Sequence, residues 1–173
     1  LSKRNNWRGL LHFFIYFLSL FIFGYLAYLT WGTWWTILFF FLYGTIYSFS
    51  VSNWHETVHR TAFRSRRLND FFYHISSFMC DFEGFRWRWS HTFHHTNTLQ
   101  TKDDYDYEIQ VSRPTELIWF FLNFVPLSDL LYPHRLLKFE ILKHAFGYLT
   151  PVVTIAAPDS QKKNIIWTSR LYV

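Results

Sequence analysis

From Gly9 to Trp54 the chain contains no Asp, Glu, Lys or Arg. This 46-residue run is too long for one membrane span and matches two spans of ~20 residues each. Gly32-Thr33 lies near its middle and supplies a turn. We read Leu11–Trp31 as the first span and Trp34–Ser52 as the second, a transmembrane hairpin over residues 11–52. Trp31, Trp34 and Trp35 gather at the turn, where an aromatic belt is expected at the water interface. A signal peptide is the weaker reading. The apolar stretch exceeds a signal's hydrophobic core, and no small-residue cleavage pattern follows it.

Charge sets the expected orientation. Lys3, Arg4 and Arg8 precede the first span, and Arg60, Arg64, Arg66 and Arg67 follow the second. A hairpin brings both groups to one side, and an excess of Lys and Arg marks the cytoplasmic side. The net charge of +5 flanks apolar runs rather than forming one patch, so nucleic acid is excluded as a partner. An aromatic content of 24% exceeds what a soluble core requires and suits lipid contact. The expected class is therefore all-α, an integral membrane protein of the bacterial inner membrane or the endoplasmic reticulum.

Residues 53–113 differ from the hairpin, mixing His, Arg, Asp and aromatics. They read as a cytosolic or interfacial helical layer. Leu117–Val125 is apolar but short, and reads as an interfacial or re-entrant piece. Ala145–Ala157 is also apolar and short, and reads as the beginning of a third span. The tail from Asp159 to Val173 is polar and carries no motif.

Two histidine clusters carry the chemistry. The first is His55-Glu56-Thr57-Val58-His59, the second His91-Thr92-Phe93-His94-His95. Residues i and i+4 share a helix face, so His55 and His59 project together, as do His91, His94 and His95 at i, i+3 and i+4. Cys80 is the only cysteine, which excludes thiolate metal sites and internal disulfides. Any metal must be held by imidazole, carboxylate or water. His-Glu-x-x-His alone suggests a zinc peptidase with Glu56 as general base. That reading leaves the second cluster without a role, since a catalytic zinc needs about three protein ligands. A bis-histidine haem anchor would place its ligands at depth within spans, whereas these follow the second span. Imidazole suits iron, zinc, copper and nickel alike, so spacing alone leaves the metal open.

The quoted stretches "WHETVHRTAF" and "RWSHTFHHTNT", the latter followed by "DDYDYE", resemble the first and second histidine boxes of membrane fatty-acid desaturases and related hydroxylases. The resemblance runs over roughly residues 10 to 125. It implies a non-haem centre of two Fe held by His55, His59, His91, His94 and His95. It also implies O2-dependent oxidation of a lipid acyl chain, most directly desaturation, with a hydroxylase or ketolase as the alternative on the same scaffold. Electrons would come from a separate donor protein of the ferredoxin or cytochrome b5 type. A third box, H/Q-x-x-H-H, normally follows a further pair of spans. No His-His follows His95, so the expectation is a single desaturase-like domain over residues 1–173 that is truncated and inactive by itself.

Other features have competing readings. Asp103, Asp104, Asp106 and Glu108 form either a solvated loop or carboxylate support for the ligating imidazoles, with Asp103 and Asp104 nearest the box. Arg86-Trp87-Arg88-Trp89 reads first as an interfacial anchor with snorkelling arginines. Its functional reading is the mouth of an acyl tunnel or a headgroup contact. His12, His74, His134 and His144 read as polar interfacial residues. Arg60, Arg64, Arg66 and Arg67 read as topology anchors, or as a surface for an acidic electron donor. Glu56 points off the face shared by His55 and His59.

Overall fold

The computed structural model describes residues 4–97 and 137–173. Asp103, Asp104, Asp106, Glu108, His134 and the Leu117–Val125 stretch lie outside the described residues. Every regular element among the described residues is an α-helix: α1 (Asn6–Leu29), α2 (Trp34–Val58), α3 (Arg66–Met79), α4 (Gly84–Thr96), α5 (Leu137–Ala145), α6 (Pro151–Ala156) and α7 (Asp159–Tyr172). They fall into two compact units, Leu1–Cys80 and Asp81–Val173.

In the first unit α1 packs on α2 and α2 on α3. The side chain of Asn5 caps α1 by accepting from the Trp7 amide at 2.9 Å. Gly32, at φ +83°, makes the reversal between α1 and α2 in a conformation that glycine adopts without a Cβ clash. Only α1 and α2 among the described residues are long and apolar enough to cross a membrane. On α1 the buried residues are Gly9, Phe13, Tyr16, Leu20 and Ala27, a single stripe at helical spacing. The other faces of α1 expose Phe14, Phe21 and Tyr25, and α2 exposes Trp34, Phe40 and Phe41. Apolar exposure on that scale is unfavourable in water and natural in lipid.

The α1–α2 seam is not purely apolar. Tyr16 Oη bonds Ser50 Oγ at 2.7 Å, and His12 Nε2 meets Asn53 Oδ1 at 2.8 Å. Tyr47 Oη donates to the Met79 carbonyl at 2.7 Å, tying α2 to the end of α3. Lipid tails are as apolar as Leu, so such bonds and close packing hold membrane helices together. At one end of the hairpin Phe63 stacks on Phe13 and Phe72 at centroid distances of 5.5 and 5.0 Å. Buried Asn69 fastens that loop. It donates to the Phe63 and Ser65 carbonyls, both at 2.8 Å, and accepts from the Phe63 amide at 3.2 Å.

α2 runs past the expected end of its span. Ser52 is followed by Asn53, Trp54, His55 and Glu56 inside the same helix. Polarity ends an expected membrane segment, but no Gly or Pro is present to end the helix, so it continues out of the apolar zone. The termination is a Schellman motif. The Arg60 amide donates to the Thr57 carbonyl and the Thr61 amide to the Glu56 carbonyl, each at 3.0 Å. Arg60 takes the left-handed position at φ 55°, where glycine is usual. Its guanidinium is held by Asp70 at 3.2 Å, and its carbonyl accepts from Arg4 at 3.1 Å. Arg64, Arg66 and Arg67 are exposed.

In the second unit α4 packs on α6 and α7, and α5 on α7. The apolar centre is Val152, Val153, Ala157 and Ile165, with Phe85, Trp89 and Leu149 against it. The Ala145–Ala157 stretch does not begin a third span. Its first residue closes α5, Gly147 turns the chain at φ +89°, and Pro151 starts the short α6. Proline favours the first turn of a new helix and cannot sit inside an old one. The polar tail, which carries no motif, forms α7.

Candidate metal centre

The first histidine pair sits at the C-terminal end of α2. The rings of His55 and His59 are 4.6 Å apart, and both side chains are exposed. The Schellman turn fixes His59 as the last cap residue, so the pair occupies one turn with a defined end. Glu56 lies off their face. Its Oε2 accepts from Thr61 Oγ1 at 2.7 Å, which uses the carboxylate to close the same turn.

The second cluster ends α4. His91 Nε2 and His95 Nε2 are 3.1 Å apart. His94 stands beside them, its ring centroid 6.0 Å from His91 and 5.4 Å from His95. His91 is buried and His95 exposed. Two imidazole nitrogens at this separation can both reach one ion about 2.1 Å from each. Within each of the pairs His55–His59 and His91–His95 one ligand atom per ring lies within 4.8 Å of its mate. The imidazole donor set therefore fits a divalent transition metal, and the helical spacing supplies the convergence.

α4 owes its start to Glu83. This residue is 1% exposed, and its carboxylate accepts from the amides of Phe85 at 3.1 Å and Arg86 at 2.6 Å. Burial pushes its carboxyl up to about 7, against the pull of those two amides and of Arg86. Between pH 4.5 and about 7 the folded chain thus holds a proton that the unfolded chain has released. Stability of the second unit is expected to fall as pH rises through that window and to level off above it, by up to about 3 kcal/mol. Thermal melts in detergent followed by circular dichroism should show this slope, and Glu83→Gln should remove it.

The Arg86-Trp87-Arg88-Trp89 segment is not a snorkelling anchor at its first residue. Arg86 is 7% exposed and forms a two-pronged ion pair with Glu140 of α5, Nη2–Oε2 at 3.1 Å and Nε–Oε1 at 3.3 Å. Its Nη1 donates to Ser90 Oγ at 3.1 Å. A buried guanidinium with a half-buried carboxylate partner gains more there than at a headgroup.

His144 is likewise corrected. It is fully buried, with Nε2 2.9 Å from Thr150 Oγ1, and Thr150 Oγ1 donates in turn to Glu140 Oε1 at 2.9 Å. Burial lowers its pKa against the raising pull of Glu140, leaving the ring neutral at pH 7. Reading the sequence missed this network. The i, i+4 spacing of Glu140 and His144 was the available signal, but nothing local pointed to Arg86. His12 pairs with Asn53 in the helix seam, and His74 is exposed on α3.

No curated protein and no solved structure matches the chain. The sequence model described as Fatty acid desaturase matches residues 32–172, which takes in α2 with its histidine pair, α4 with its trio, and the helices beyond. With that match extending over most of its length, the chain belongs to the fatty acid desaturase family.

Proposed function

We propose that this chain is the part of a membrane oxidase that binds a non-haem di-iron centre and uses it to remove hydrogen from an unactivated C–H bond of a lipid acyl chain, giving a double bond. The observation that carries this reading is the pair of histidine clusters, each with two imidazoles on one helix face, in a chain of this family. His55, His59, His91, His94 and His95 would hold the iron, with Asp103 and Asp104 accepting ring N–H bonds from them. Bound iron supplies the oxidising power by activating O2.

The protein's own part is positioning. The turn that closes α2 orients His55 and His59, and the capped α4 orients His91 and His95. The hairpin places its apolar faces in the bilayer, where the acyl chain already resides, with the histidines on the cytoplasmic side. Desaturation withdraws two electrons and two protons from the chain, whereas reduction of O2 to water takes four electrons. The other two must come from a donor, which is the role of a separate ferredoxin or cytochrome b5 type protein.

Metal analysis of the detergent-purified protein, with an optical spectrum, tests this reading. Iron without a Soret band is the expected result. Stoichiometric zinc in place of iron would turn the reading to a peptidase built on Glu56, and a Soret band would turn it to a haem anchor.

A further inference from the structure

His91 and His95 lie on the opposite side of α4 from the Arg86 ion pair. At about 100° per residue, Ser90 lies about 40° round α4 from Arg86, His91 about 140° and His95 about 180°. One side of α4 is therefore bonded to α5 through Arg86–Glu140, with Ser90 accepting from the same guanidinium. The other side carries the two imidazoles whose Nε2 atoms are 3.1 Å apart. α4 also touches the apolar centre through Phe85 and Trp89. Apolar contact is non-directional and tolerates rotation of a helix about its axis. A two-pronged guanidinium–carboxylate pair is directional and does not. Glu140 is itself held, since Thr150 Oγ1 donates to it and His144 backs Thr150. The chain from His144 through Thr150 and Glu140 to Arg86 thus runs from the interior of the second unit to the helix that bears the histidines.

We infer that Arg86 and Glu140 are positioning residues for the second histidine cluster: their ion pair, between a buried guanidinium and a half-buried carboxylate, locks the rotation of α4, and with it the direction in which His91 and His95 present their ring nitrogens. The inference rests on the metal reading above for its consequence, but the locking itself is a property of the metal-free chain. Lysine does not replace Arg86 here, because a single ammonium cannot reproduce the two-pronged geometry.

The test uses the full chain in detergent, with Arg86→Lys, Arg86→Met, Glu140→Met and the double variant Arg86→Met/Glu140→Met. Two quantities are read. One is carbethoxylation of His91 by diethyl pyrocarbonate without metal, followed by mass spectrometry, with exposed His95 as reference. The other is Co(II) affinity, followed by its visible d–d bands. Circular dichroism reports whether each variant retains its helices.

In the wild type His91 should be protected. In Arg86→Lys and in each single Met variant it should react at a rate approaching that of His95, and Co(II) should bind about tenfold more weakly or worse. The double variant should lose no more than either single, because the two residues act through one contact. It also carries the test if a single variant fails to fold, since it leaves no lone buried charge. Unchanged His91 protection and Co(II) affinity in a folded Arg86 variant would overturn the inference, as would losses that add in the double. If the wild type took up no Co(II) while Arg86→Lys still unmasked His91, the locking would stand and the metal reading would fall.

Discussion

Replacing any one of His55, His59, His91, His94 or His95 with Ala is expected to cut iron content below about a tenth of wild type, since each change deletes a donor outright where loss of supporting groups alone costs 10–100-fold. In the complete enzyme, oxidation of the acyl chain should be lost with the iron, and membrane insertion should persist because the two long apolar helices keep their apolar residues. The largest loss is expected at His91 and His95, whose Nε2 atoms already stand 3.1 Å apart. His74→Ala is the control. Its side chain is exposed on α3, and iron content should be unchanged. His144→Ala is no control, because it opens a cavity under Glu140. Glu56→Gln separates the chemistries. An oxidase should keep its iron and activity, because the Glu56 side chain closes the turn to Thr61 and lies off the face of His55 and His59. A peptidase would lose its general base. If Glu56→Gln abolished activity while His94→Ala and His95→Ala were both harmless, the di-iron reading would have to be abandoned.

Gly9→Ala is expected to be the most damaging single-methyl change in the hairpin. A Cβ built at Gly9 comes within 2.6 Å of the Ala62 carbonyl oxygen and within 2.6 Å of two ring atoms of Phe63. The ring cannot swing aside, because Phe63 is fully buried and stacked on Phe13 and Phe72. The carbonyl belongs to the backbone just before the loop that Asn69 fastens. The cost should reach about 3 kcal/mol, the upper end for overpacking, and Gly9→Val should cost more. Gly44→Ala provides the contrast. Among the described residues nothing outside its own helical backbone and chain neighbours lies within 4 Å of a Cβ there, and Ala is the better helix former, so stability should hold or rise slightly. Unfolding in mixed micelles, followed by helicity, measures both. Equal stabilities for Gly9→Ala and Gly44→Ala would show that α1 does not approach the loop this closely.

Much of the architecture was legible because it is a one-dimensional property. A charge-free run of 46 residues can be satisfied only by helices that bond their own backbone, and its length sets their number. Among the described residues the helices long and apolar enough to cross a membrane are α1 and α2, as expected. The histidine spacing was legible for the same reason. Whether two residues share a helix face depends on their separation alone, and the structure places His55 beside His59 and His91 beside His95.

The tertiary structure decided where local pattern competes with distant partners. Arg86 reads as a membrane-surface arginine until Glu140, 54 residues away, removes it from solvent. His144 reads as a surface histidine until the turn at Gly147 folds Thr150 back onto its ring. α2 outlasts its apolar segment because a helix stops where its backbone can turn, here at Arg60, and not where its side chains become polar. The apolar run of Ala145–Ala157 fails as a span for the converse reason. Its hydrophobicity is continuous, but its hydrogen-bond ladder is not, and only the folded backbone reveals that Gly147 and Pro151 divide it between two helices.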